Sequence, residues 1–263
     1  MKLIKVPFSA GGLGKTKGCE LAPDKIVEKL KEFHLSEEGM LVNFDVDEIK
    51  VDQNNIEKSF NDIIENSKII LKNNDKPIFI GGDHSITFPL VKGFSSVYPE
   101  PGIVIFDAHP DCQSDFEPPT HEDLVVGLIK NNIIKKENII IVGVRNWHKD
   151  EYKFIKENRI KYFDMKELSM EGIKEVSESV MSVAKNFGSL YISVDIDVLD
   201  PGFAPGTGYP EPGGLTTREL LFFLHRLKKL HNLKAMDIVE VNPDKDVNEL
   251  TSKLGAKLVV ELE

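Results

Sequence analysis

Three side chains able to bind a metal or carry a proton recur at alternate positions in Asp107-Ala108-His109-Pro110-Asp111. In an extended segment, residues i, i+2 and i+4 point to one side, so all three can converge on one spot. Pro110 biases His109 away from the helical region. The stretch follows the apolar run Gly102-Ile103-Val104-Ile105-Phe106, and taken alone it reads as a buried strand entering a polar turn. Two further segments change that reading. Leu190-Tyr191-Ile192-Ser193-Val194 leads into Asp195-Ile196-Asp197, and Pro77-Ile78-Phe79-Ile80 leads into Gly81-Gly82-Asp83-His84-Ser85.

The candidate ligands are therefore His84, Asp107, His109, Asp111, Asp195 and Asp197. Four clustered carboxylates without a cation repel one another and raise each other's pKa, which predicts divalent cations. Six ligands are too many for one small ion and suit two ions that share carboxylates. The oxygen-rich set favours Mn²⁺ over Zn²⁺. Cys112 adjoins Asp111, but in an extended chain it points the other way and is left out of the set.

The elements that must position these residues alternate along the chain. Strands are expected at 3–7, 40–46, 77–80, 102–106, 138–144, 160–163, 190–195 and 234–241. Helices are expected at 23–33, 54–71, from 85 onward, 121–131, 170–186, 216–230 and 247–256. Nearly continuous Val/Ile/Phe strands separated by helices indicate a parallel sheet buried on both faces. An eight-stranded barrel satisfies the same pattern, and periodicity does not separate the two. In either, the ligand-type residues fall at the carboxyl ends of strands, where α/β folds place their sites.

Composition narrows the function classes. At 263 residues and 41% hydrophobic content, with no linker-like tract, one domain over 1–263 is expected. A net charge of -10 argues against a nucleic-acid partner, which requires a basic face. No apolar run is long enough to span a bilayer and no signal-peptide pattern opens the chain, so a cytoplasmic location without membrane contact is expected. Two cysteines, Cys19 and Cys112, set no disulfide pattern.

Gly81-Gly82-Asp83-His84-Ser85, Asp107-Ala108-His109-Pro110-Asp111 and Ser193-Val194-Asp195-Ile196-Asp197-Val198-Leu199-Asp200-Pro201 resemble, in order and spacing, the three signature motifs of the ureohydrolase family, which includes arginase, agmatinase and formiminoglutamase. The resemblance implies a three-layer α/β/α fold around an eight-stranded, mainly parallel sheet. It implies two Mn²⁺ per chain, one on His84, Asp107, Asp111 and Asp195, the other on Asp107, His109, Asp195 and Asp197. Water acidified by the two cations would be the nucleophile. It also implies catalytic roles for Glu240, pairing with a guanidinium, for Asp111, moving a proton to the leaving amine, and for His121, relaying protons. At His121 the family pattern His-Gly is replaced by His121-Glu122-Asp123, and a histidine at a helix start is the competing reading. Trimers or hexamers are implied by the family.

The implied substrate is a small guanidino compound that releases urea. The ten positions from Asp111 to His121, together with Ala204-Pro205-Gly206-Thr207-Gly208-Tyr209-Pro210-Glu211, are similar to agmatinases. Glu240-Val241-Asn242-Pro243 is closer to arginases. The loop 113–120 is expected to touch the far end of the substrate, with Glu117 attracting a distal ammonium, so agmatinase is favoured. The alternatives are a formiminoglutamase-type hydrolase, an amide or acyl-amine deacetylase on the same fold, and a non-catalytic metal-binding protein. His34, His148, His225 and His231 are expected at the surface.

Overall fold

Runs such as Ile78-Phe79-Ile80 and Ile139-Ile140-Ile141-Val142 have no polar face to offer water and must be covered on both sides. In the computed structural model, which describes residues 1–113 and 116–262, they are. The strands are β1 (Lys2–Val6), β2 (Asp45–Glu48), β3 (Ile78–Gly81), β4 (Pro101–Phe106), β5 (Ile139–Val144), β6 (Lys161–Asp164), β7 (Ser189–Asp195) and β8 (Leu233–Val239). They form one eight-stranded sheet in the order β2-β1-β3-β8-β7-β4-β5-β6, with every neighbouring pair parallel. β2 and β6 are open edges, so the barrel alternative falls.

Period-two alternation divides the core into two apolar layers. Leu3, Ile78, Ile80, Val104 and Phe106 face α1 (Ala22–Leu30), α6 (Met165–Glu171), α7 (Ile173–Ala184), α8 (Thr217–Leu227) and α9 (Leu250–Leu262). Ile4, Phe79, Ile103, Ile105 and Tyr191 face α2 (Ile56–Asn73), α3 (Thr87–Ser95), α4 (Leu124–Lys130) and α5 (Lys149–Asn158). The result is the expected three-layer α/β/α arrangement. Phe106 on β4 meets Phe223 on α8 edge-on, with ring centroids 5.5 Å apart. Each such side chain removed from water contributes about 1.5–3 kcal/mol.

Several boundaries differ from the periodicity reading. The strand expected at 40–46 lies instead at Asp45–Glu48, sharing only its last two residues, because Met40 and Leu41 are exposed and pairing with β1 begins at Asp45. The helix expected at 170–186 is two helices, broken at Gly172, whose φ of +91° suits glycine. α4 begins three residues after His121, and α9 covers Leu250–Leu262 rather than 247–256. α5 was not expected at all. Its sequence, KDEYKFIKEN, is mostly charged and buries only Glu151 and Ile155, so its apolar period is faint.

β3, β8, β7 and β4 are consecutive neighbours at the centre of the sheet. Their carboxyl ends lie side by side, and the crevice beyond them is where an open parallel sheet holds its ligand. β3 ends on a backbone contact that only glycine permits. The amide of Gly82 donates to the Val6 carbonyl at 3.1 Å, and a Cβ at this position would lie 1.8 Å from the Phe8 carbonyl oxygen. That close approach sets the path of the chain into His84.

Candidate metal centre

Each of the four central strands delivers part of one buried cluster. His84 opens a 3-10 turn after β3, Asp107 follows β4, Asp195 ends β7, and Asp197 sits in the 3-10 turn Ile196–Val198. Three carboxylates commit one oxygen to a backbone N–H and turn the other inward. Asp107 Oδ1 accepts from the His109 amide, Asp195 Oδ1 from the Asp197 amide at 2.8 Å, and Asp197 Oδ1 from the Ala108 amide at 3.0 Å. These bonds fix the side chains without consuming their inward lone pairs.

The inward atoms converge. His84 Nδ1 lies 3.1 Å from Asp107 Oδ2, 2.9 Å from Asp111 Oδ2 and 3.4 Å from Asp195 Oδ2. His109 Nδ1 lies 3.0 Å from Asp197 Oδ2 and 3.5 Å from Asp107 Oδ1. The shortest of these contacts have ion-pair length but not hydrogen-bond direction, since His84 Nδ1, Asp107 Oδ2 and Asp111 Oδ2 are all buried without a hydrogen-bond partner. Buried polar atoms aimed at a common point and left unsatisfied are costly unless something sits between them.

Two overlapping triads, His84/Asp107/Asp111 and Asp107/His109/Asp197, have ligand atoms within 4.8 Å of one another, and Asp107 belongs to both. The donor set thus fits two cations sharing a carboxylate. Asp195 falls outside both triads by this measure, although its Oδ2 faces His84.

Electrostatics point the same way. Burial, and then Asp107, push the Asp111 carboxyl up to about 7. Burial followed by neighbouring carboxylates also raises Asp195 and Asp197. Burial would raise Asp107 as well, but His109 and His84 outweigh it and hold this carboxyl below the usual range. A cluster whose carboxylates are raised by one another is stabilised by added positive charge.

Glu240 follows β8 at the floor of the site. Its Oε1 accepts from the His84 amide at 2.8 Å, and the Cys19 thiol donates to its Oε2 at 3.7 Å. Glu240 and Asp111 both adopt left-handed backbone, with φ of +63° and +47°. For a residue other than glycine this costs about 1–2 kcal/mol, which the surroundings must offset. At Glu240 the amide donates to the Gly82 carbonyl at 2.8 Å, tying β8 to the turn carrying His84. His121 is buried before α4, with Nδ1 3.4 Å from Glu240 Oε1 and Nε2 making no hydrogen bond but 3.9 Å from Glu122 Oε1. Burial alone would lower its pKa, but Glu240 outweighs it and raises it to about 9.

The structure thus brings together all six ligand candidates, Glu240 and His121. It changes the local reason. Asp111 is not extended and Asp195-Ile196-Asp197 is a turn, so convergence comes from loop geometry rather than strict alternation. Cys112 is turned away, its thiol donating to the Pro110 carbonyl at 3.0 Å.

A cavity of about 250 Å³ opens above the cluster, lined by Gln113, Glu122, Asn146, Trp147, His148, Glu151 and Tyr209 as well as site residues. His148 is exposed, as expected, and also lines it. Glu117 is exposed and is not among the lining residues, and Ser114 and Asp115 of the same loop lie outside the described residues. Carboxylates on the wall come instead from Glu122 and Glu151. Arg145 was also missed. Its Nη2 donates to the Asp197 and Glu211 carbonyls, each at 2.7 Å, bracing the turn that carries Asp197. The only available signal was position, since Arg145 to His148 follow the carboxyl end of β5.

The arginase family model matches residues 1–263. The chain belongs to the arginase family. The arginase of Staphylococcus aureus strain COL is 34% identical over 295 aligned residues, covering 98% of this chain and 96% of that protein. The agmatinase of Bacillus subtilis strain 168 is 33% identical over 224 residues, covering 83% and 73%. The crystal structure of formimidoylglutamase from Bacillus subtilis superposes with a TM-score of 0.92 at 26% identity, covering 99% of this chain and 85% of that one. Relatives with three different names thus match this chain, two in sequence and one in backbone. Among the described residues of this member, no helix is long and apolar enough to cross a membrane.

Proposed function

We propose that this chain hydrolyses a C–N bond of a small guanidino compound and releases urea, using two Mn²⁺ ions. His84, Asp107, Asp111 and Asp195 would hold one ion, and Asp107, His109, Asp195 and Asp197 the other. The observation that carries the reading is the set of buried, unpartnered ligand atoms beside Glu240 at the floor of the cavity. When bound, the ions supply a water acidified toward neutrality.

The chain's own residues do the rest. A guanidinium carbon is a weak electrophile, so the site must orient its plane and favour the tetrahedral state. Glu240 accepts from guanidinium N–H groups in a two-pronged pair, its oxygens being held in place by the His84 amide, the Cys19 thiol and the nearby His121 ring. Asp111 carries a proton toward the departing nitrogen. His121, with Nε2 making no hydrogen bond and facing Glu122 at 3.9 Å, exchanges protons between that nitrogen and the cavity.

An agmatine-like substrate is favoured over arginine. Glu122 and Glu151 place carboxylates on the cavity wall, and no lysine or arginine is among the described lining residues. A distal ammonium therefore finds a partner more readily than a distal carboxylate. The backbone match to the formimidoylglutamase supports a second reading, a formimino hydrolase, which the acidic wall disfavours.

The test is urea release from agmatine, arginine and guanidinobutyrate by Mn²⁺-loaded protein, with formamide release followed for formiminoglutamate, each with and without chelator. Chelator-sensitive turnover of agmatine above arginine is expected. Comparable turnover of arginine overturns the substrate assignment. Silence on every substrate with two ions bound overturns the guanidino-hydrolase reading in favour of an amide or acyl-amine hydrolase or a non-catalytic metal protein.

A further inference from the structure

Behind His84, on the side away from the cluster, lies a second carboxylate to which the proposed reaction gives no role. Asp237 on β8 is fully buried and is held by three hydroxyl groups. Tyr191 OH donates to its Oδ2 at 2.9 Å, Thr87 Oγ1 to the same oxygen at 2.8 Å, and Ser193 Oγ to its Oδ1 at 2.6 Å. Ser193 stands directly opposite Asp237 in the β7/β8 register, and it also lies 3.0 Å from His84 Nε2. All five side chains are buried.

The hydrogen-bond inventory gives this chain a direction. A serine hydroxyl has one proton. At 2.6 Å from a carboxylate oxygen that can only accept, the Ser193 proton goes to Asp237. Toward His84, Ser193 can then only accept, so Nε2 must carry a proton. In the neutral imidazole that leaves Nδ1 bare, and Nδ1 is the atom that faces Asp107, Asp111 and Asp195.

We infer that Ser193 and Asp237 are positioning residues that hold His84 in the tautomer and ring orientation a metal requires. The inference rests on the metal centre proposed above. Thr87 and Tyr191 both donate to the outer oxygen of Asp237, so either one alone still occupies it and the inner oxygen is left to Ser193. A histidine ligand usually donates its second ring N–H to a carboxylate or carbonyl, and losing that partner typically weakens metal binding 10–100-fold. Here a serine is interposed, so the carboxylate stays inside the sheet, between β7 and α3, out of reach of the cluster.

The experiment titrates wild type, Ser193→Ala, Asp237→Leu and Tyr191→Phe with Mn²⁺ alone, following free Mn²⁺ by electron paramagnetic resonance. Ser193→Ala removes one oxygen atom and is expected to weaken one of two Mn²⁺ equivalents about 10–100-fold. The equivalent centred on His109 should hold its affinity. Tyr191→Phe also removes a buried hydroxyl from Asp237 but leaves His84, Ser193 and Asp237 linked, so it should preserve both equivalents. If Ser193→Ala fails to fold, Asp237→Leu, similar in shape but with no acceptor for the Ser193 proton, decides by the same measure.

Two wild-type affinities retained in the deciding variant overturn the inference. So does Tyr191→Phe weakening the same equivalent as strongly, because packing alone would then account for the loss. A wild-type chain that takes up no Mn²⁺ fails the metal centre itself, a result distinct from either.

Discussion

Glu240 is held in place before any substrate arrives, by the amide of His84, the thiol of Cys19 and its own amide on Gly82. Glu240→Gln keeps that shape and removes the charge proposed above to pair with a guanidinium. Losing a hydrogen bond between charged groups costs about 1.5–3 kcal/mol, so kcat/KM should fall roughly 10–150-fold. The melting temperature should fall as well, because buried His121 loses the carboxylate that holds its proton. A variant with wild-type kcat/KM would deny Glu240 its role. The site residues that were legible in the sequence, such as Asp107 and His109, were those directly following an apolar strand. Tyr209, Trp147 and Glu151 were not, because they come from loops or a charged helix with no period to mark them. Even for Asp111 the spacing pointed to the right residue while the backbone, at φ +47°, is not the extended one that the spacing presumes.

At the scale of elements, interior strands were readable because they are apolar on both faces, whereas β2 and α5 were not because neither buries an apolar face of consequence. What joins elements at the periphery is charge. Glu37 pairs bidentately with Arg218 on α8, at 2.6 and 3.0 Å, and with Lys257 on α9 at 3.2 Å. Arg218 first, and Lys257 after the opposing effect of burial, hold the Glu37 carboxyl down at about 2. A carboxyl depressed in the folded state, against about 4.3 when unfolded, adds stability above the unfolded value and loses it as pH falls toward 2. Solvent screening keeps the contribution under about 1 kcal/mol. Glu37→Gln should therefore melt lower than wild type at pH 7, by no more than about 4 °C, and the gap should narrow between pH 4 and pH 3. A gap independent of pH would mean that packing, not charge, ties the loop down. Gly82→Ala tests the opposite kind of link. Its new Cβ meets the Phe8 carbonyl, so the urea midpoint should fall by the equivalent of at least about 1–3 kcal/mol. A midpoint equal to wild type would show that β1 and the His84 turn can separate without loss.

Across the whole molecule, four neighbouring central strands end in acidic or histidine side chains that share one buried volume, so sheet and site cannot be stabilised independently. Like charges at the ends of adjacent strands push those ends apart, while two apolar layers hold the strands together. Cations bound only by the folded state remove that opposition, stabilising it by about 2.7 kcal/mol at a free concentration 100 times the Kd. For a chain of this length that is a rise of roughly 5–10 °C in melting temperature over the chelated protein. The ligands must shed protons to accept a metal, so the gap should widen from pH 6 to pH 8. Asp107 belongs to both triads, so Asp107→Asn should abolish most of the metal-induced rise, and a substitution in only one triad, such as His109→Asn, should abolish less. Differential scanning calorimetry of the three proteins with Mn²⁺ and with chelator decides the matter. Equal residual rises in the two variants would mean that Asp107 does not bridge, and no rise in wild type would mean that the strand ends carry their charge without a metal.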